Sequence, residues 1–245
     1  MGYEPGDVVS GFTLPNANGG GEVSLEDVMT EVGAVVVFEC NHCPYVVGSI
    51  NRINKAAAKA EELGMGFVGI NSNDPEVYPE DSFENMIKRA DKGMPYPYLH
   101  DESQEVATAW GAKRTPEFYL MNGEGVVVYR GRLDNSPRNA MEATTRDLAD
   151  AMDSLSMGDL PPVNRTESIG CSVKWKLCPA ADASVTGMTT WPAARAVLTT
   201  LRLSRRQKLA SLLLPKNRHQ ANPMTRKIQK NLNLTKLKIH CAHFT

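Results

Sequence analysis

Cys40 and Cys43 stand three residues apart, with Asn41 and His42 between them and Pro44 after. Two thiols at that spacing can close a disulfide within one helical turn, or supply half of a zinc site. If the pair opens a helix, the free N–H groups of the first turn and the positive end of the helix dipole favour negative charge on the first sulfur. Cys40 is then the expected attacking thiolate and Cys43 the resolving thiol. Pro44 suits a first turn, where its missing N–H has no helical partner anyway. His42 either adds positive charge that favours thiolate or is an exposed spacer. Glu39 is read in two ways: a buried carboxylate that shuttles the thiol proton, although its charge would oppose thiolate, or an exposed residue at a strand end. A zinc site would need Cys171 and Cys178 as its other ligands. The redox reading needs neither, and no metal or cofactor is expected.

Thr115-Pro116 is the second feature. An X-Pro bond is the common place for a cis peptide. In that form it would expose the carbonyl and N–H of Thr115 to bind a substrate's extended backbone beside Cys40; a trans proline in a turn is the plain alternative. Asn71 to Asp74 follows a run that reads as a parallel strand, on the side where open α/β sheets place their sites. Loop capping by short polar side chains is the other reading. Cys171 is either a third redox cysteine or an inert thiol. Trp110 and Trp175 read as packing residues.

The elements that must position these residues are legible in outline. Ala34 to Phe38 is a continuous apolar run, as expected of a strand buried on both faces. It runs straight into Cys40. Val46, Ile50, Ile53, Ala57 and Ala60 make one face of a helix that Gly64 stops. Met65 to Ile70 is a second strand, giving a right-handed crossover unit. A helix over about 81–92 follows, then extended chain at 96–99. Asp101 and Gln104 stand at capping-box spacing before a short helix ending at Gly111. Residues 117–121 and 125–132 pair as a hairpin around Asn122-Gly123. Ser136-Pro137 opens a last helix, with Leu148, Ala151, Met152 and Leu155 as its buried face. The order β-α-β, helices, β-β-α, with helices on both faces of a central mixed sheet, is that of an α/β thioredoxin fold carrying an N-terminal extension.

The chain of 245 residues is 42% hydrophobic and 22% charged, ordinary for a globular protein. Its net charge of −1 conceals a split. Up to Cys178 there are 27 acidic and 15 basic residues, a charge of −12; beyond it Asp182 faces 12 Lys and Arg, a charge of +11. Residues 1–176 read as the folded domain. Residues 177–245 read as a basic C-terminal extension, disordered or non-native, with one helix-like stretch from Ala193 to Leu214. Without a nucleic-acid motif or interleaved aromatics, nucleic-acid binding is not the expectation. No stretch reaches the ~20 apolar residues of a membrane span, and no secretory signal is seen at the start. Five sparse cysteines do not make a disulfide framework, so a cytoplasmic protein is expected.

The chain resembles the thioredoxin-like, peroxiredoxin-like branch of the AhpC/TSA (redoxin) superfamily. The resemblance rests on Phe38 to Tyr45, Gly69 to Asp74, Tyr78 to Ser82, Asp101 to Gln104, Gly111-Ala112 with Thr115-Pro116-Glu117, Tyr129 to Arg132, and Gly170 to Lys176. It covers about residues 3–176. It implies a thioredoxin fold, a cis proline at Pro116 and redox work at Cys40 and Cys43. Relatives of this kind stop just after the segment matching Lys174-Trp175-Lys176. Typical peroxiredoxins carry a threonine shortly before the peroxidatic cysteine; here Val36, Val37, Phe38 and Glu39 supply no hydroxyl. An arginine to polarise a peroxide bond is not placed, with Arg130 and Arg132 as candidates. The expected activity is therefore dithiol–disulfide exchange, acting on protein or small-molecule disulfides with a thioredoxin-type or low-molecular-weight thiol as electron donor. A thiol peroxidase using Cys40 on peroxides, and a non-enzymatic zinc-binding module, are the alternatives.

Overall fold

The computed structural model describes residues 2–177. Cys178, Cys241 and the helix expected at 193–214 lie outside them. The described unit closes at Lys176. Its elements are β1 (Thr13–Pro15), β2 (Glu22–Ser24), α1 (Leu25–Val28), β3 (Gly33–Phe38), α2 (Pro44–Glu62), β4 (Gly66–Asn71), α3 (Phe83–Ala90), β5 (Tyr98–His100), α4 (Glu105–Trp110), β6 (Arg114–Thr115), β7 (Glu117–Asn122), β8 (Val127–Gly131), α5 (Asp147–Ser156) and β9 (Cys171–Ser172).

The central sheet has the order β5-β4-β3-β7-β8. β3 pairs parallel with β4 and antiparallel with β7, so β3 is central and all six of its residues are buried. Alternation along the strands divides the core into two layers. Val35, Val37, Phe118 and Leu120 face one way, against α2 and α5. Ala34, Val36, Phe38, Tyr119 and Met121 face the other, against α1 and α4. The result is the thioredoxin fold that the element order predicts. Among the described residues no helix is long and apolar enough to cross a membrane.

Three local expectations are corrected. The last helix starts at Asp147, not at Ser136. The reason is Arg52 on α2, whose guanidinium donates to the carbonyls of Ser136 (3.0 Å) and Pro137 (2.6 Å) and pairs with Asp134, pinning that stretch as a loop. No capping box forms at Asp101 and Gln104. Asp101 does accept from the N–H of Ala107 at 2.9 Å, but Gln104 turns into the left-handed region at φ 62°. Its side chain reaches instead to Ser72, Lys174 and Lys176. Trp110 is fully buried, packed edge-on against Tyr3, Phe38 and Tyr119, whereas Trp175 is 45% exposed and is no core residue.

Candidate active site

β3 delivers Glu39 and Cys40 at its carboxyl end, and α2 begins at Pro44 with Cys43 as its N-cap. Both cysteines are free thiols and fully buried in the layer under α2. Thr115 reaches both of them. The Cys43 thiol donates to the Thr115 carbonyl at 3.0 Å, and the Cys40 sulfur lies 3.5 Å from the Thr115 hydroxyl. The Thr115-Pro116 bond is cis.

The electrostatics fall differently from the sequence expectation. Because the helix starts at Pro44, its first turn serves Cys43, the N-cap, and leaves Cys40 three residues ahead of it. The Cys43 thiol is pulled below its ordinary range by the neighbouring Cys40, then by the side chain and N–H of Cys171 and the N–H of Val46, which together outweigh burial. Cys40 is pushed up by Cys43, by burial and by the carboxylate of Asp81. In this closed arrangement Cys43 is the more acidic sulfur.

Asp81 organises the loop between the cysteines. It is fully buried and accepts from the N–H of Asn41 (2.7 Å), Asn73 Nδ2 (2.7 Å) and His42 Nδ1 (2.6 Å). His42 also stacks on Tyr78 at 5.0 Å, so it is not a loose spacer. Asn71 donates to the Asp81 carbonyl, and Asn73 accepts from the N–H of Lys174. The Asn71–Asp74 loop thus buttresses the site. Among the described residues, ligand atoms of Cys40, His42 and Asp81 lie within 4.8 Å of one another. This differs from the zinc set expected around Cys171, and both Asp81 oxygens already accept hydrogen bonds.

Glu39 is buried, not exposed. It pairs with Arg89 and accepts from the Tyr96 hydroxyl at 2.8 Å. Gly69 makes this possible: a Cβ there would stand 2.5 Å from the Glu39 carboxylate. A carboxylate so engaged is held as a structural anion rather than a proton shuttle. Arg89 also donates to the Cys40 carbonyl at 2.9 Å, fixing the loop from the α3 side. Neither Arg130 nor Arg132 is free to polarise a peroxide. Arg130 stands over Tyr119, in the other core layer, and pairs with Glu117 and Glu4; Arg132 pairs with Asp147.

A further correction concerns Thr115 as a site for substrate backbone. β6 is already paired, antiparallel, with β9: Thr115 opposes Cys171 and Arg114 opposes Ser172. The chain's own segment lies where an extended substrate was expected. Sequence reading missed Asp81, Arg89 and Tyr96. Only the acidic residue shortly before the helix that packs on the loop hinted at the first, and pairing across 49 and 57 residues left no local signal for the others.

A family model described as Redoxin matches residues 4–148. The chain belongs to the Redoxin family. It is thus a thioredoxin-fold, peroxiredoxin-like protein of the AhpC/TSA group of oxidoreductases. An uncharacterized conserved protein from Geobacillus kaustophilus is 44% identical, with a TM-score of 0.68 over 73% of this chain and 95% of that one. A hypothetical protein from Sinorhizobium meliloti 1021 is 35% identical, with a TM-score of 0.67 over 72% of this chain and 97% of that one. A Mycobacterium tuberculosis protein provisionally named a peroxiredoxin is 29% identical over 123 residues, 50% of this chain and 73% of the relative. The redoxin match takes in β3, Cys40, Cys43 and Thr115-Pro116, and ends before β9.

Proposed function

We propose that this redoxin is a thiol–disulfide oxidoreductase working through Cys40 and Cys43. The observation that carries the reading is the placing of both sulfurs on one residue, Thr115, at 3.5 Å and 3.0 Å, with the two thiols as each other's neighbours. Cys40 is the thiol that meets substrate. It lies beside the partly exposed His42 and next to Asn41, which lines a groove of about 500 Å³ between α2 and α3. Cys43 is enclosed by Thr115 and β9. As Cys40 attacks a disulfide, one substrate sulfur leaves carrying the Cys40 proton, and a mixed disulfide remains on Cys40. Cys43 then attacks the Cys40 sulfur, releases the second substrate thiol and closes the Cys40–Cys43 disulfide. A thioredoxin-type or small thiol reopens it. This cycle suits the reducing cytosol, where close cysteine pairs are catalytic more often than structural.

The test is trapping. Cys43→Ser should hold a mixed disulfide on Cys40, and Cys40→Ser should hold none. Absence of any trapped adduct on Cys40 sinks the reading; adducts found on Cys43 instead reverse the two roles.

One observation favours a second reading. The Thr115 hydroxyl beside Cys40 supplies, from a distant segment, the group that the residues before Cys40 lack. Cys40-dependent consumption of hydrogen peroxide at a rate exceeding disulfide reduction would make the protein a thiol peroxidase.

A further inference from the structure

β9 occupies the place of a substrate strand, and it carries a cysteine. It lies antiparallel to β6, with Cys171 directly opposite Thr115. Gly170 comes so close that a Cβ there would stand 2.1 Å from the Thr115 carbonyl oxygen, the same oxygen that holds the Cys43 thiol. Cys171 packs against the core layer that contains Cys40 and Cys43, yet it is only half-buried. The strand is not loosely laid. Val173 is buried, its N–H donates to the Lys113 carbonyl at 3.1 Å, and Lys174 is bonded through both its N–H and its carbonyl to Asn73 and Asp74. Gln104, in its left-handed conformation, ties the Lys174 carbonyl and the Lys176 N–H to the same platform. Nothing in the exchange reaction at Cys40 and Cys43 requires a third thiol held in this way.

We propose that β9 is a built-in substrate strand, and that Cys171 exchanges with the oxidised pair to give a Cys43–Cys171 disulfide and a free Cys40 thiol. The step balances without an outside reagent. The Cys171 sulfur attacks Cys43, the Cys40–Cys43 bond breaks, the Cys43–Cys171 bond forms, and the Cys171 proton ends on Cys40. One disulfide replaces another, so no net electrons move. The fixed strand makes the attack intramolecular, which raises its effective concentration far above that of a free thiol. Burial and then the neighbouring Cys43 push the Cys171 thiol up to about 11, so it stays protonated and passive while the pair is reduced. Lys174 and Arg114 oppose that push and are the cations next to Cys171 when it reacts. The relay leaves the oxidised protein with a Cys40 thiol ready for a second disulfide, a state that a two-cysteine site does not have.

The proposal rests on the exchange reading above, and its test separates the two. The full-length protein, Cys40→Ser, Cys40→Ala and Cys171→Ser are oxidised with diamide, alkylated, digested and mapped by mass spectrometry. The relay predicts a Cys43–Cys171 linked peptide in both Cys40 variants. It predicts both this linkage and Cys40–Cys43 in the wild type, with Cys40 alkylated wherever Cys171 is linked. In Cys171→Ser that linkage and the alkylated Cys40 are lost and only Cys40–Cys43 remains. The relay is overturned if both Cys40 variants leave Cys43 and Cys171 unlinked, or join Cys171 to Cys178 or Cys241, while the wild type still closes Cys40–Cys43; the exchange reading then stands alone. A wild type that never closes Cys40–Cys43 overturns both.

Discussion

The Cys43 sulfur and the Thr115 carbonyl oxygen are 3.0 Å apart, although 72 residues separate them in the chain. That contact joins the start of α2 to the short β6 strand and so to everything paired with β6. The same threonine offers its hydroxyl to Cys40 at 3.5 Å. One residue therefore acts on both thiols through different atoms, and the two actions can be separated by substitution.

Thr115→Val keeps the carbonyl and removes the hydroxyl. The hydroxyl favours the Cys40 thiolate, so its loss should raise the Cys40 pKa further and slow the first attack. One hydrogen bond is worth about 1 kcal/mol, or roughly fivefold in rate. The expected result is a fall of that size in kcat/KM for disulfide reduction, with the Cys43 titration little changed. An unchanged kcat/KM would remove the hydroxyl from the mechanism.

Asp81 presses on Cys40 in the opposite sense. Its negative charge disfavours the Cys40 thiolate. Asp81→Asn removes that charge, so the Cys40 pKa should fall. The rising limb of the pH–rate profile, which reports formation of the reactive thiolate, should move to lower pH. The same variant loses charge-assisted bonds to Asn41 and His42, at a cost of about 1–3 kcal/mol. Lower stability together with an acid-shifted profile is the combined signature. A profile displaced to higher pH would show that Asp81 acts through position rather than charge.

The Glu39–Arg89 pair is a stability test. Glu39 is fully buried and Arg89 nearly so, at 10% side-chain exposure. Arg89→Met leaves the carboxylate buried without its cation and should cost about 3–5 kcal/mol in urea unfolding. Arg89→Met with Glu39→Gln removes the uncompensated charge, so the double variant should recover a large part of that loss. Strictly additive losses would mean that the two residues are not coupled.

The central sheet and the cysteine pair were legible because their causes are local. Ala34 to Phe38 is apolar at every position and rich in β-branched valine, the pattern of a strand covered on both faces. The spacing of Cys40 and Cys43 ahead of a helical periodicity places both at its start. The hairpin from Glu117 to Gly131 follows from an equally short signal, whereas the cis bond at Pro116 was implied by the family resemblance. Tertiary contacts decided the rest. Ser136-Pro137 looks like a helix start, and Arg52, 84 residues earlier, holds it as a loop. Gln104 has the spacing of a capping residue, yet Lys174 and Lys176 draw its side chain away.

Three facts about the site were settled by contacts from distant segments. Glu39 is buried because Arg89 and Tyr96 come from other elements to meet it. Cys43 is the more acidic sulfur because Cys40 lies beside it, and after that because Cys171 and the N–H of Val46 do. Thr115 is covered because β9 returns to pair with it. Residue type and short spacing were enough to single out Cys40 and Cys43 as the candidate thiols. The partners of each sulfur, and the strand opposite Thr115, came from tertiary contacts. Charge and access depend on the groups that surround an atom in space, and those groups come from the whole of the folded chain.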